Sequence, residues 1–370
     1  MTSPQLPANL IPSDGRFGSG PSKVRVDSLN ALAASADSLM GTSHRQATVR
    51  TVVGRVRAGL SNLFQLPDGY EVLLGNGGST AFWDAASFGL IERKSQHCVN
   101  GEFSSKFAAV TTAAPHLGTP EVIEVAPPGA AVPIARDDID TYALIHNETS
   151  TGVATTITRP STSGLTIVDA TSAAAGLAID PTQFDVYYFA PQKCFGGDGG
   201  LWLAACSPAA TERIARLAAS DRWRPTFLDL GIALEQSRLD QTYNTPALAT
   251  LFLLADEVDW MLANGGLDWT TGRSGTSAKT VYAWAEAHEL ASPFVTDPEL
   301  RSNVTMTIDF ADSVDATQLA KDLRTNGILD VDPYRKLGRN QLRIAGFPNI
   351  EPSDIALLTQ AIDWLIAQRA

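Results

Sequence analysis

Two apolar runs in this 370-residue chain end on side chains that can do chemistry. Leu165–Ala170 carries a carboxylate at Asp169. Phe184–Ala190 leads through Pro191 and Gln192 to Lys193, then breaks up into Gly196, Gly197, Gly199 and Gly200. Short β-branched and aromatic runs bounded by glycine predict buried parallel strands. Lysine is seldom left at the end of such a strand without a partner. A lysine and an acid at neighbouring strand ends are the pair that pyridoxal 5'-phosphate chemistry needs. The lysine forms the Schiff base, and the carboxylate keeps the pyridine nitrogen protonated so that the ring accepts electrons. The competing reading is a loop lysine on the surface and an aspartate capping a helix.

A third feature supplies a phosphate anchor. Gly75–Asn76–Gly77–Gly78–Ser79–Thr80 stands between a strand and a helix, where free N–H groups and the helix dipole attract anions. It lacks the Lys-Ser or Lys-Thr of a P-loop and does not spell the dinucleotide fingerprint. Glycine in such a turn is often only conformational, so its weight comes from standing beside Asp169 and Lys193.

The elements that must position these residues alternate between strand and helix. Helical spacing runs from Ser28 to about Leu66, through Leu29, Leu32, Leu39, Val49, Val52, Val53 and Val56. Strands are predicted at Tyr70–Leu74, His97–Asn100, Glu121–Val125 and Tyr142–Asn147, ahead of the two already described, and a helix at Ala247–Ala263. Such alternation implies an α/β fold, a mostly parallel sheet covered on both faces. A turn-rich stretch, Asn264–Gly275, is followed by a helix around Val281–Leu290. Then come a strand at Val304–Phe310, a helix at Ala316–Thr325, a strand at Gln341–Ala345 and a last helix at Ile355–Ile366. The expected organisation is an arm over 1–27, a large domain over 28–265 and a smaller α+β domain over 266–370.

Composition excludes several classes. Hydrophobic residues at 44% and charged ones at 18% describe a folded globular protein. A net charge of −12 argues against nucleic acid as a partner. The three cysteines, Cys98, Cys194 and Cys206, have no metal-ligand spacing, so no metal is expected, and they fit a reduced compartment. The segment through Pro4, Pro7, Pro12 and Asp14 lacks the basic and apolar parts of a signal peptide. No apolar run approaches the ~18 residues of a membrane span. A cytoplasmic protein is expected. Asn147–Glu148–Thr149 matches a glycosylation sequon, which has no meaning without secretion.

Beyond these residues the chain resembles the phosphoserine aminotransferases. The similarity rests on Phe17–Gly18–Ser19–Gly20–Pro21–Ser22, Ser43–His44–Arg45, Gly77–Gly78–Ser79–Thr80 and His146–Asn147–Glu148–Thr149–Ser150–Thr151–Gly152. Ala190–Pro191–Gln192–Lys193 and Asn244–Thr245–Pro246 continue it in the same order, and Gly101–Glu102–Phe103–Ser104 is similar to the actinobacterial branch. The resemblance implies a fold-type I, class V enzyme with a seven-stranded-type sheet, active as a homodimer in serine biosynthesis. It would exchange the amino group of L-glutamate with 3-phosphohydroxypyruvate, giving 3-phospho-L-serine and 2-oxoglutarate.

The resemblance also implies roles. Lys193 would be the Schiff-base lysine and proton shuttle, Asp169 the partner of the ring nitrogen, and Phe103 the aromatic on the ring face. Thr149 would reach the ring hydroxyl. Gly78, Ser79, Thr80 and Gln192 would hold the cofactor phosphate, joined by Asn244 and Thr245 from a partner subunit. Arg343 and Arg45 would bind the α-carboxylate, with His44 beside them on the phosphate side. Many members carry a His-Arg pair six or seven residues before the strand arginine; here those positions are Lys336 and Leu337. The sequence does not choose among Arg335, Lys336 and Arg339 as the replacement.

Rival functions differ in what they need. A cysteine desulfurase needs a mobile-loop cysteine in the C-terminal part, and none follows Cys206. A class V aminotransferase for an unphosphorylated 2-oxo acid would have no use for the basic cluster. A non-catalytic nucleotide-binding protein would be colourless after purification.

Overall fold

The computed structural model describes residues 3–369; Met1 and Thr2 of the expected arm, and Ala370, lie outside it. The helices are α1 (Val26–Ala34), α2 (Ala36–Leu39), α3 (Ala47–Leu63), α4 (Ser79–Gly89), α5 (Glu102–Ala113), α6 (Pro208–Ala218), α7 (Leu230–Arg238), α8 (Leu248–Ala263), α9 (Gly266–Ala287), α10 (Ala316–Thr325) and α11 (Pro352–Ala367). The strands are β1 (Glu71–Asn76), β2 (Ser95–Val99), β3 (Glu121–Glu124), β4 (Thr141–Ile145), β5 (Asn147–Glu148), β6 (Val153–Ala154), β7 (Leu165–Asp169), β8 (Val186–Phe189), β9 (Leu201–Cys206), β10 (Ala291–Pro293), β11 (Thr305–Phe310) and β12 (Gln341–Ala345).

Seven strands form the main sheet in the order β1-β9-β8-β7-β4-β2-β3. The pairs β8–β7, β7–β4, β4–β2 and β2–β3 are parallel, while β9 is antiparallel to both β8 and β1. Because β9 alone is reversed, β1 points the same way as the other five. Every residue of β2, β4, β7, β8 and β9 is buried, as expected for strands covered on both faces. β3, at the edge, alternates in exposure and carries glutamate at both ends, which discourages further strand pairing. On one face α3 buries Val49, Val52, Val53, Val56, Leu60 and Leu63 against α8, the 3–4 spacing of an amphipathic helix.

The C-terminal region builds a second, antiparallel sheet, β10-β11-β12, packed by α9, α10 and α11. The N-terminal segment is tied to this region. Arg16 bridges Leu329, the Phe17 carbonyl accepts from Ala345 N–H at 3.0 Å, and Ser13 bonds the Asp354 carboxylate at 2.8–2.9 Å.

Three sequence expectations change. The helical stretch from Ser28 to Leu66 is broken into α1, α2 and α3, with Gly41 and the Ser43–His44–Arg45 tripeptide in the break. The strand through Tyr142–Asn147 stops at Ile145, and Asn147–Glu148 leaves the sheet to pair with Val153–Ala154. Asn264–Gly275 is not a turn-rich stretch: the chain turns only at Asn264–Gly265, then runs helical to Ala287. Burial of Thr270, Ser274, Ser277 and Ala278 against α8 and α11 outweighs the weak helix propensity of that stretch.

Candidate active site

Strand direction brings the chemistry together. With β1, β2, β4, β7 and β8 co-directional, their C-terminal ends share one edge of the sheet, where ligands bind in such folds. A cavity of about 180 Å³ opens there. Gly78, Ser79 and Thr80 line it from the start of α4, Phe103 from α5, and Thr149 from the turn after β5. Asp169, Gln192 and Lys193 complete the wall from the ends of β7 and β8.

Asp169 is buried and held by three donors. Thr171 N–H reaches Oδ1 at 2.9 Å; Tyr188 O–H and Trp83 Nε1–H reach Oδ2 at 3.0 and 3.3 Å. The indole also donates to the Tyr188 oxygen at 2.8 Å, closing a triangle. Burial raises the carboxyl's pKa although these donors oppose it, and among the described residues no cation pairs with it. A carboxylate so placed fits the protonated nitrogen of a pyridine ring.

Lys193 donates from Nζ to the Ser19 carbonyl at 2.5 Å, so the N-terminal segment reaches the cavity. Gly20 has a φ of +130°, and a Cβ there would collide with the end of the Lys193 side chain; only glycine lets the segment come this close. Burial, reinforced by Arg343, lowers the amine's pKa to about 8.

Phe103 is set by the start of α5. Glu148, fully buried, accepts from Phe103 N–H at 3.3 Å, Ser104 N–H at 3.0 Å and Ser104 Oγ at 2.8 Å. A carboxylate thus caps the positive end of that helix. A Cβ on Gly101 would strike the same carboxylate.

The opposite end of the cavity suits a phosphate. The N-terminus of α4 points its free N–H groups inward, and Ser79 Oγ lies 2.6 Å from Thr171 Oγ1. Gln192 Oε1 and Asn147 Oδ1 are buried without hydrogen-bond partners, a costly state for a closed protein and an ordinary one for groups awaiting a ligand. Thr149 Oγ1 donates to Ser172 Oγ at 2.7 Å. Amine, carboxylate, aromatic face and phosphate cradle together fit pyridoxal phosphate.

The cationic residues divide. Arg343 lies on β12 and donates from Nη1 to the Thr149 carbonyl at 3.2 Å; its Nε is buried and unpaired, and burial lowers its pKa. His44, Arg45, Asn244 and Thr245 form a separate patch beyond β1. His44 Nδ1 is 3.1 Å from Thr245 Oγ1, Asn76 Nδ2 donates to the Thr245 carbonyl at 3.0 Å, and Arg45 bonds Gln236 and Gln241. Burial, helped by Arg45, lowers the His44 pKa.

The basic loop splits further. Arg339 is committed to Asp309, with its guanidinium 4.6 Å from the Phe294 ring centroid, and neither partner lines the cavity. Lys336 pairs with Glu102, next to Phe103. Arg335 is exposed and makes no ion pair among the described residues. Sequence reasoning missed Trp83, Tyr188, Thr171 and Ser172, which look like core or turn until β7, β8 and α4 are assembled.

Residues 25–329 match the family model described as Aminotransferase class-V. A putative phosphoserine aminotransferase of Mycolicibacterium vanbaalenii is 58% identical over 364 residues, covering 98% of each chain. The phosphoserine aminotransferase of Rhodococcus jostii is 57% identical over 371 residues, covering 100% of both. Among solved structures, the phosphoserine aminotransferase of Cytophaga hutchinsonii superposes with a TM-score of 0.87 at 26% identity, covering 95% of this chain and 99% of that one. The chain therefore belongs to the class-V aminotransferases and, within them, to the phosphoserine aminotransferase family.

Proposed function

We propose that this chain transfers the amino group of L-glutamate to 3-phosphohydroxypyruvate, yielding 3-phospho-L-serine and 2-oxoglutarate in serine biosynthesis. The observation that carries this reading is the meeting of Lys193, Asp169, Phe103 and the α4 N-terminus in one cavity. Pyridoxal phosphate, when bound, carries the amino group between the two acids and stabilises negative charge at the reacting carbon. Lys193 would hold the cofactor covalently and would move the proton at the substrate Cα. An amine pKa near 8 suits a group that both takes and returns a proton close to neutrality. Asp169 would hold the ring nitrogen, Phe103 would cover the ring, Thr149 would reach the ring hydroxyl, and Gly78, Ser79, Thr80 and Gln192 would hold the phosphate.

Both acids carry an α-carboxylate and a distal anion. Arg343 serves the first, as a buried guanidinium with an unpaired Nε. The 335–339 loop would serve the second, joined by His44 and Arg45 of a partner subunit, since they share the patch of Asn244 and Thr245. With Arg339 engaged by Asp309 and Lys336 by Glu102, Arg335 is the residue of that loop free to meet a phosphate. Steady-state kinetics test this with phosphohydroxypyruvate, hydroxypyruvate and pyruvate. Arg335→Met should raise KM for the phosphorylated acid about tenfold and leave pyruvate unchanged. Equal efficiency for all three acids would refute the named substrate while leaving the cofactor reading intact.

We further infer a homodimer in which Asn244 and Thr245 complete the partner's phosphate site. Both are exposed in the single chain, beside the exposed Tyr243. A fully active monomer in sedimentation and dilution assays would refute this. The division at 27 and 265, and work in the cytoplasm, belong to the same proposal. Three buried free cysteines support the latter, and no helix among the described residues is long and apolar enough to cross a membrane.

A further inference from the structure

The loop between α10 and β12 brings one uncharged side chain to the mouth of the site. Tyr334 precedes a single helical turn, Arg335–Leu337, whose Leu337 N–H returns to the Tyr334 carbonyl at 3.0 Å. The loop is anchored before that turn, where Arg343 N–H donates to the Val331 carbonyl at 3.0 Å, and after it, where Leu337 packs on Val153, Phe294 and Val295. Held at both ends, the half-buried Tyr334 ring stands 5.5 Å from the Arg343 Cζ and 6.0 Å from the Phe103 ring, inclined at 54°.

Arg343 has little else to fix it. Among the described residues its guanidinium makes one hydrogen bond, from Nη1 to the Thr149 carbonyl, and the buried Nε has none. A guanidinium on a flexible stem, bonded at a single corner, can swing about that bond. An aromatic face beside it removes the swing while leaving the edge free to bind.

We propose that Tyr334 is a positioning residue for the substrate carboxylate: its ring holds the Arg343 guanidinium in binding orientation and braces it against Phe103. This rests on the reading of Arg343 as the carboxylate anchor. Since every substrate presents the same α-carboxylate, Tyr334 acts on amino donor and acceptor alike, whatever their distal group.

The test is a double-mutant cycle on the holoenzyme. Tyr334→Leu should raise KM for glutamate and for phosphohydroxypyruvate by a similar factor, about 3- to 10-fold, with a smaller change in kcat. Tyr334→Phe, which keeps the ring, should restore both KM values. In an Arg343→Ala background, Tyr334→Leu should add nothing, because the group it positions is gone. Unchanged KM values in Tyr334→Leu, an effect on one acid alone, failure of Tyr334→Phe to rescue, or a full additional loss in the Arg343→Ala background would each overturn the proposal. Wild-type KM values in Arg343→Ala itself would instead overturn the anchor reading.

Discussion

Tyr188→Phe isolates how the buried carboxylate at Asp169 is supported. The phenol donates to Oδ2 at 3.0 Å and accepts from the Trp83 indole at 2.8 Å, while that indole also reaches Oδ2 at 3.3 Å. Deleting the hydroxyl therefore strands no donor, since the indole keeps the carboxylate, but it removes one of the three donors to a desolvated charge. A hydrogen bond to a charged group contributes about 1.5–3 kcal/mol, and one between neutral groups about 0.5–1.5 kcal/mol. Tyr188→Phe should thus lower kcat/KM by roughly 10- to 100-fold in the wild-type background. With Asp169→Asn already present the further loss should be about tenfold or less, the difference being the charge-assisted part. The four variants of the cycle are compared by kinetics and by absorbance titration of cofactor affinity. Equal losses in both backgrounds would show that Tyr188 acts through packing, and the electrostatic account of Asp169 would fail.

Lys193 should cost the cofactor-free protein stability. Its amine is depressed from 10.5 to about 8 in the folded state. Between those values the unfolded chain holds a proton that the folded one does not, so stability rises with pH across this window and the full penalty applies below it. Lys193→Met should therefore stabilise the apoprotein at pH 7, by up to about 3 kcal/mol, with the gain fading between pH 8 and 10.5; urea denaturation across that range checks it, and a pH-independent gain would contradict it. Gly20→Ala should displace the Lys193 side chain and strain a backbone at φ +130°, lowering kcat by about tenfold or more while the cofactor still binds. Turnover and the visible absorbance of the purified variant measure the two effects separately.

Legibility in the sequence followed how local each signal was. Asp169 and Lys193 stood out because each ends an apolar run, and a charge at the end of a buried strand is conspicuous. Trp83 and Tyr188 did not, because an aromatic in a helix or strand reads as core until a third element shows where its polar tip points. The strand Leu201–Cys206 has no counterpart among the predicted strands, and its reversal is a property of sheet order rather than of its residues. Helix α9 was hidden by Thr271, Gly272, Ser274 and Gly275, whose small side chains suit close packing rather than intrinsic helicity. The basic loop read as three equivalent cations. Asp309, which claims Arg339, lies 30 residues earlier in the chain and carries no local sign of doing so.

The ties of the N-terminal segment have a consequence for the order in which the protein is made. Leu6 bonds Asn326, Phe17 bonds Leu329 and Ala345, and Ser13 bonds Asp354, each across more than 300 residues. During synthesis the segment from Leu6 to Phe17 therefore leaves the ribosome long before the partners that fix its place. The main sheet, complete at Cys206, precedes them by more than a hundred codons. Until residues 326–354 emerge, the segment that carries the Ser19 carbonyl over Lys193 lacks its anchors in the C-terminal region and is tied only from its far side, where Ser22 N–H donates to the Gln192 carbonyl at 2.8 Å. Contacts of such long range form slowly. A nascent chain thus has a finished floor for its cofactor well before it has the ceiling that orients the reactive amine.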